Sequence, residues 1–154
     1  MQMQLRELAS SVGLLILRLG IGGYMLSHGW GKLLMVLAGG FDKFGDPIGL
    51  GSAASLVLVT AAEFLCALLV MIGLGTRLAA LPVVFAMAVA AFVVHGGDPW
   101  SSEQAAMAGS LKSKEPALMY LAAFLALAFT GPGWLSLDGL IWRFCCKRSP
   151  KPSP

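Results

Sequence analysis

The chain has 154 residues, of which 57% are hydrophobic and only 12% are charged. Soluble domains carry about 25% charged residues, so this composition leaves too little polar surface for a soluble globule and favours a membrane protein. The formal net charge of +3 is small, and no run of Lys and Arg alternates with aromatic residues. Both features argue against nucleic acid as a partner.

Four apolar stretches predict four membrane-spanning helices. A spanning helix needs about 20 apolar residues, which the second stretch supplies alone, whereas the third and fourth must borrow residues from their flanks. The stretches are apolar all round, as lipid requires; a soluble all-α bundle and a re-entrant segment are the alternatives. The predicted fold is an all-α, integral membrane four-helix bundle over residues 1–144, with helices at about 11–36, 53–74, 78–95 and 116–131.

The segment WLSLDGLIWRFCCKR, which follows the fourth stretch, predicts a short C-terminal interfacial helix at about residues 135–144. Its two tryptophans suit the headgroup level of a bilayer, and Ser136 can cap its first turn. The basic, Pro- and Ser-rich tail 145–154 is expected to be disordered. Cys145 and Cys146 are either lipidated or reduced thiols, and the chain contains no CxxC motif.

Basic residues beside the spans predict the orientation. Four spans put both termini on one side, and the side richer in Lys and Arg is normally cytoplasmic. The first stretch has an arginine in its middle and no clear cleavage site, so we expect a retained helix rather than a signal peptide. The terminal side has Arg6, Arg77, Arg143, Lys147, Arg148 and Lys151, and the other side has Lys32, Lys43, Lys112 and Lys114.

Two charged residues fall inside the predicted spans. Arg18 lies one-third to halfway along the first helix, and Glu63 lies near the middle of the second. A charge at this depth is costly and usually has a partner inside the bundle. Because the two helices run in opposite directions, we expect a buried Arg18–Glu63 ion pair. The pair either fixes helix register or forms the polar floor of a cavity.

A second polar group is predicted at the outer end of the bundle. His28 and Lys32 lie one turn apart near the end of the first helix, and the third and fourth helices end and begin at the same level. These residues predict a ligand site, although snorkelling and loop capping would also explain them. A metal site formed by both histidines and the glutamate is less favoured, because no segment has ligand spacing. The predicted ligand-binding residues are His28, Lys32, His95, Glu115 and Tyr120.

The first helix is expected to present its basic residues on one stripe towards the other three helices. Glycines along this helix would let a backbone or a ligand approach closely. The resulting electropositive wall would suit an anion or a quinone carbonyl. The glycines are Gly22, Gly23, Gly29 and Gly31.

Four segments of the chain carry a family resemblance. In chain order they are LRLGIGGYMLSHGWGKL, AAEFLCALLVMIGLGTRLAAL, AFVVHGG and EPALMYLAAFLALAFTGPGWLSLDGL. Together they resemble the DoxX family of small bacterial membrane proteins. The resemblance implies four transmembrane helices, a location in the bacterial inner (plasma) membrane and an association with redox biology. Such a role would need a bound quinone or a redox partner protein, because the sequence has no cysteine pair, haem-binding motif or dinucleotide fingerprint that would carry electrons unaided.

Three functions remain open at this point. The first is a membrane oxidoreductase subunit that binds a quinone or a small anion in an outward-facing polar cavity. The second is a non-enzymatic membrane scaffold or assembly factor for a partner protein. The third is a solute carrier, which with four helices would need to form a homo-oligomer. Whether the protein is an enzyme is therefore left open by the sequence.

Overall fold

The computed structural model describes residues 2–146, and within them every regular element is helical. The predicted all-α fold class is confirmed for this part of the chain. A short 3₁₀ turn, Phe41–Lys43, lies in the connection between the first two helices. The helices are α1 (Gln2–Leu37), α2 (Ser52–Ile72), α3 (Thr76–Val94), α4 (Ser102–Met107), α5 (Glu115–Thr130) and α6 (Leu137–Cys146).

Three helices are long and apolar enough to cross a membrane, namely α1, α2 and α3. Helix α5 is apolar but has 16 residues, which corresponds to about 24 Å of helix against a hydrocarbon layer of about 30 Å. A complete span by α5 therefore stays a prediction. Helix α1 begins at Gln2 rather than near residue 11, and at 36 residues it is longer than a bilayer crossing requires.

Helices α2 and α3 each contain a π-helical segment. In α2 the segment is Ala61–Cys66, and in α3 it is Ala90–Val94, directly before His95. A π turn adds one residue to the helical repeat, which rotates the residues beyond it relative to a regular α-helix, and such turns are frequent at functional sites. Glu63 lies inside the first segment and His95 directly follows the second, so both π turns set the direction of an ionisable side chain.

The core joins two pairs of neighbouring helices. Helix α1 packs mainly on α2, and α5 packs mainly on α3. Met25 of α1 lies in the same buried cluster as Val83 of α3 and Phe124 of α5, and none of these three side chains is exposed. Because lipid is as apolar as these side chains, close packing rather than exclusion of water holds such helices together.

Two glycines of α1 allow it to contact α2 closely. A Cβ atom at Gly29 would lie 2.6 Å from the backbone carbonyl of Glu63, and one at Gly22 would lie 3.2 Å from Met71 Cγ. The expectation of close approach is thus confirmed at these two positions. At Gly23 and Gly31 no backbone approaches α1, since an added Cβ would meet nothing within 4 Å. These two glycines lie on other faces of α1.

A carboxylate joins α6 to the turn between α2 and α3. Asp138 accepts hydrogen bonds from the N–H groups of Gly75 at 2.8 Å and Thr76 at 3.2 Å, where α3 begins. Its own N–H donates to the carbonyl of Gly73 at 2.9 Å. The carboxylate satisfies N–H groups that have no partner within the helix, and its charge suits the helix N-terminus.

The start of α6 has the predicted cap. Ser136 Oγ accepts a hydrogen bond from the N–H of Gly139 at 3.0 Å, which confirms its capping role. The helix continues to Cys146, so the first two residues of the predicted disordered tail are helical. The rest of that tail lies outside the described residues.

A second carboxylate shapes the loop between α1 and α2. Asp46 accepts hydrogen bonds from the N–H groups of Leu50 at 3.0 Å and Gly51 at 2.8 Å, and from Ser55 Oγ at 2.9 Å. The hydrogen bond from Gly51 is the largest of several that lower the pKa of Asp46. The loop is thereby fixed to the first turn of α2.

Substitution of Gly29 tests the close contact between α1 and α2. Gly29→Ala should lower the free energy of unfolding by about 1–3 kcal/mol, because the added methyl group must push two backbones apart. Gly31→Ala is the matched control on the same helix and should be neutral or stabilising by about 0.5–1 kcal/mol, since alanine favours the helix. Thermal unfolding in detergent measures both. Equal effects of the two substitutions would show that the contact is unimportant.

Candidate functional site: an ion pair and an apolar cavity

The centre of the candidate site is an ion pair between α1 and α2. The ammonium group of Lys32 donates a short hydrogen bond to Glu63 Oε2. The Glu63 side chain is only 5% exposed, whereas that of Lys32 is 26% exposed. A carboxylate this deeply buried needs an opposite charge or a proton, and Lys32 supplies the charge.

The helix geometry explains why Lys32 is the partner. The contact of Gly29 with the Glu63 backbone puts residue 29 of α1 level with residue 63 of α2. Lys32 lies three residues further on, about 4.5 Å along the axis. Long side chains in helices lean towards the N-terminus of their helix, so the Lys32 side chain leans back towards the level of Glu63.

The predicted Arg18–Glu63 pair is wrong. Arg18 lies eleven residues before Gly29, which is about 16 Å along the helix axis, and its side chain leans further away from Glu63. It is fully buried at the opposite end of the bundle, where its Nη2 donates to the carbonyl of Leu135. The sequence did not predict the correct partner because the pairing depends on the register of α1 against α2, which the contact of Gly29 with Glu63 sets.

The ion pair lies at the side of a cavity of about 440 Å³. The cavity is formed by α1, α2, α3 and the loop between α1 and α2, whose fixed position follows from Asp46. Its polar lining residues are Lys32, Ser55, Glu63 and His95. The apolar lining residues are Phe44, Pro47, Ile48, Leu58, Val59, Ala62, Pro82, Phe85, Ala86, Val89, Ala90 and Val94.

His95 contributes an oriented imidazole to this cavity. Its Nδ1 lies 2.7 Å from Asp98 Oδ2, and the N–H of Asp98 donates to the His95 carbonyl at 3.0 Å. Both side chains are about one-third exposed. His95 was predicted from the sequence as a site residue and Asp98 was not, although the motif HGGD has the spacing of a turn that can bring the two together.

The other predicted site residues lie elsewhere, so the prediction of one shared cavity is wrong. Glu115 and Tyr120 line an open groove of about 660 Å³ between α1 and α5. His28 is exposed and meets Tyr120 edge-on, with ring centroids 5.7 Å apart. Glu115 Oε2 accepts a hydrogen bond from the Ser102 N–H at 2.7 Å, which caps α4 rather than contributing to the cavity.

The predicted stripe of basic residues on α1 is also wrong. Arg18 is buried at one end of the bundle, His28 is exposed, and Lys32 is neutralised by Glu63. The cavity wall is therefore not electropositive. Among residues 2–146, no group of three or more His, Cys, Asp or Glu side chains is close enough to hold a metal ion. His95 lines the cavity, Glu115 lines the groove between α1 and α5, and His28 lines neither of them.

A double-mutant cycle tests the corrected pairing. Lys32→Met should lower the free energy of unfolding by about 2–4 kcal/mol, because it leaves a buried carboxylate without its counter-charge. The combination Lys32→Met with Glu63→Leu should recover most of this loss. The control cycle of Arg18→Met with Glu63→Leu should be additive within about 0.5 kcal/mol. Coupling in the control cycle but not in the first would restore the Arg18–Glu63 pair.

A comparison with known families supports the identification of this bundle. The DoxX family model matches residues 13–96, which include most of α1 and all of α2 and α3. All four polar residues of the cavity's lining fall within this match. The resemblance of residues 115–140 lies outside this match. No curated protein and no solved structure matches the chain. Because the match covers more than half of the sequence, this membrane protein belongs to the DoxX family.

Proposed function

We propose that this DoxX protein binds a quinone or hydroquinone in the cavity beside Lys32 and Glu63, as the quinone-binding subunit of a membrane oxidoreductase. One observation carries the proposal: a largely apolar cavity between helices long enough to span a membrane includes Lys32, Glu63 and His95 in its lining. Electron transfer to or from the ligand is assigned to a redox partner protein.

The size and lining of the cavity favour a lipid-soluble ring. Its volume of about 440 Å³ falls within the range of about 300–1,000 Å³ for small-molecule pockets. Leu58 and Phe85 line the cavity and are 55% and 62% exposed, so its rim faces lipid. A quinone ring fits the cavity, and its aliphatic tail can leave through this rim into the bilayer.

The polar groups match the two oxidation states of such a ligand. A quinone takes up two electrons and two protons on reduction. The Lys32 ammonium can donate a hydrogen bond to a carbonyl oxygen, and the Glu63 carboxylate can accept one from a hydroxyl group. His95 can do either, because a neutral imidazole has one donor and one acceptor nitrogen.

The charge of the cavity disfavours a small anion, which is the other ligand predicted from the sequence. Lys32 and Glu63 compensate each other, so an anion would enter without a free positive charge to offset its desolvation. A neutral ring that hydrogen-bonds to both members of the pair avoids this cost. The quinone is therefore the preferred ligand, and the scaffold function becomes the outcome if no ligand binds.

Binding of decylubiquinone and menadione to the purified protein in nanodiscs tests the proposal. Glu63→Gln and Lys32→Met should each weaken binding at least about tenfold, or about 1.4 kcal/mol, because a charge-assisted hydrogen bond is lost. Glu115→Gln is the matched control, since this carboxylate lies near the same end of the bundle but outside the cavity. Calorimetry gives the dissociation constants.

Two results would contradict the proposal. The first is the absence of binding to the unmodified protein, which would favour the scaffold function. The second is equal affinity in the Glu63→Gln and Glu115→Gln variants. In that case the quinone would bind outside the cavity.

We further infer a bacterial inner-membrane location with both termini in the cytoplasm. The helix order supports termini on one side: the α2–α3 turn lies beside α6, and the cavity lies at the other end. Ser11 Oγ accepts a hydrogen bond from the Trp134 N–H at 3.2 Å, so the chain leaves the bundle where α1 enters it. The basic residues beside this end favour the cytoplasmic side.

Cysteine labelling tests the orientation. In a variant with the three native cysteines replaced by serine, Leu111→Cys in the loop before α5 should react with an impermeant maleimide added to intact cells. Glu7→Cys, near the start of α1, should react only after the membrane is opened. Both positions are exposed. The reverse pattern would invert the topology.

A further inference from the structure

His95 and Asp98 form an ordered dyad where α3 ends. The 2.7 Å contact between His95 Nδ1 and Asp98 Oδ2 is a hydrogen bond in which the ring N–H donates and the carboxylate accepts. A carboxylate on one ring nitrogen fixes the tautomer and leaves the other nitrogen free for chemistry. In this dyad the free nitrogen is Nε2.

The dyad connects the cavity with the aqueous side of the membrane. His95 lines the cavity together with Lys32 and Glu63. Its side chain is also 32% exposed, in a loop beyond the membrane-spanning part of α3. A group that touches both a buried ligand and water is suited to moving a proton between them.

We propose that His95 takes a proton from a hydroxyl group of the ligand in the cavity and passes it to water, while Asp98 acts as a positioning residue. The inference rests on the proposed function and adds the proton route to it. The O–H bond of the ligand breaks, its electron pair stays on oxygen, and Nε2 forms the new N–H bond. Asp98 offsets the charge of the imidazolium until Nε2 releases the proton to water.

The other ionisable groups near the cavity are less suited to this task. Glu63 is 5% exposed and its Oε2 already accepts a hydrogen bond from Lys32, so it has no route to water of its own. The ammonium group of Lys32 has N–H donors but no acceptor, so it cannot take a proton from the ligand. Asp46, in the loop above the cavity, is occupied by N–H and hydroxyl donors of its own segment. Among the described lining residues, His95 alone combines a free acceptor nitrogen with exposure.

An acidic quinone provides a direct test. Lawsone, a hydroxynaphthoquinone, has different visible spectra as the neutral acid and as the anion, so the midpoint pH of its ionisation can be read while it is bound. The full-length protein in nanodiscs is titrated with bound lawsone. His95→Asn should raise the midpoint by about one pH unit, a tenfold change, because the proton loses its acceptor. Asp98→Asn should shift it in the same direction by less.

His28→Asn is the matched control, since the chain has two histidines and His28 lies outside the cavity lining. It should leave the midpoint unchanged. Nitrogen NMR of histidine-labelled protein gives a second readout: His95 should carry its proton on Nδ1, and Asp98→Asn should reduce this tautomer. The His28→Asn variant assigns the signals.

The outcomes separate the two proposals. If lawsone binds but His95→Asn and Asp98→Asn leave the midpoint unchanged, the proton route is wrong and the quinone site stands. If the NMR spectrum shows the His95 proton on Nε2, the positioning role of Asp98 is wrong. If lawsone, decylubiquinone and menadione all fail to bind, both the quinone site and the proton route are wrong.

Discussion

The contact of Gly29 with the backbone of Glu63 determines how the half of the bundle that contains the cavity is arranged. It brings α1 and α2 so close that a side chain at position 29 would collide with the α2 backbone. It also sets the level at which Lys32 can reach Glu63, and the resulting ion pair puts a buried carboxylate beside the cavity. The π turn around Glu63 and the loop fixed by Asp46 complete that cavity. The proposed ligand and proton route both depend on this arrangement.

The two ends of the bundle have different roles. At the end near the termini, Arg18 donates to the Leu135 carbonyl and Asp138 caps the start of α3, so buried polar groups there join α6 to the helices. At the other end, the ion pair between Lys32 and Glu63 borders the cavity. Arg18 is enclosed by protein and therefore contributes to packing. Lys32 and Glu63 line a cavity, so we propose that they bind a ligand.

The sequence predicted the helical class from composition and length, and the family from four segments of characteristic sequence. It did not predict the pairing of charges. Arg18 and Lys32 are both basic residues on α1, and the choice between them depends on helix register, which Gly29 sets through a contact distant in sequence. It also predicted one cavity for His28, His95 and Glu115, since depth along a helix is readable from sequence but direction around the bundle is not. The contact between His95 and Asp98 could have been predicted from the sequence, because the two residues are only three positions apart.

Photoaffinity labelling with an azidoquinone tests the central claim most directly, because it locates the ligand rather than its affinity. After illumination of the full-length protein in nanodiscs, peptide mass spectrometry should place the label on the lining segments of α2 and α3, around Leu58–Glu63 and Phe85–Val94. Lys32→Met should reduce this labelling. Label on the α1–α5 groove around Tyr24 and Met119, undiminished by Lys32→Met, would contradict the account.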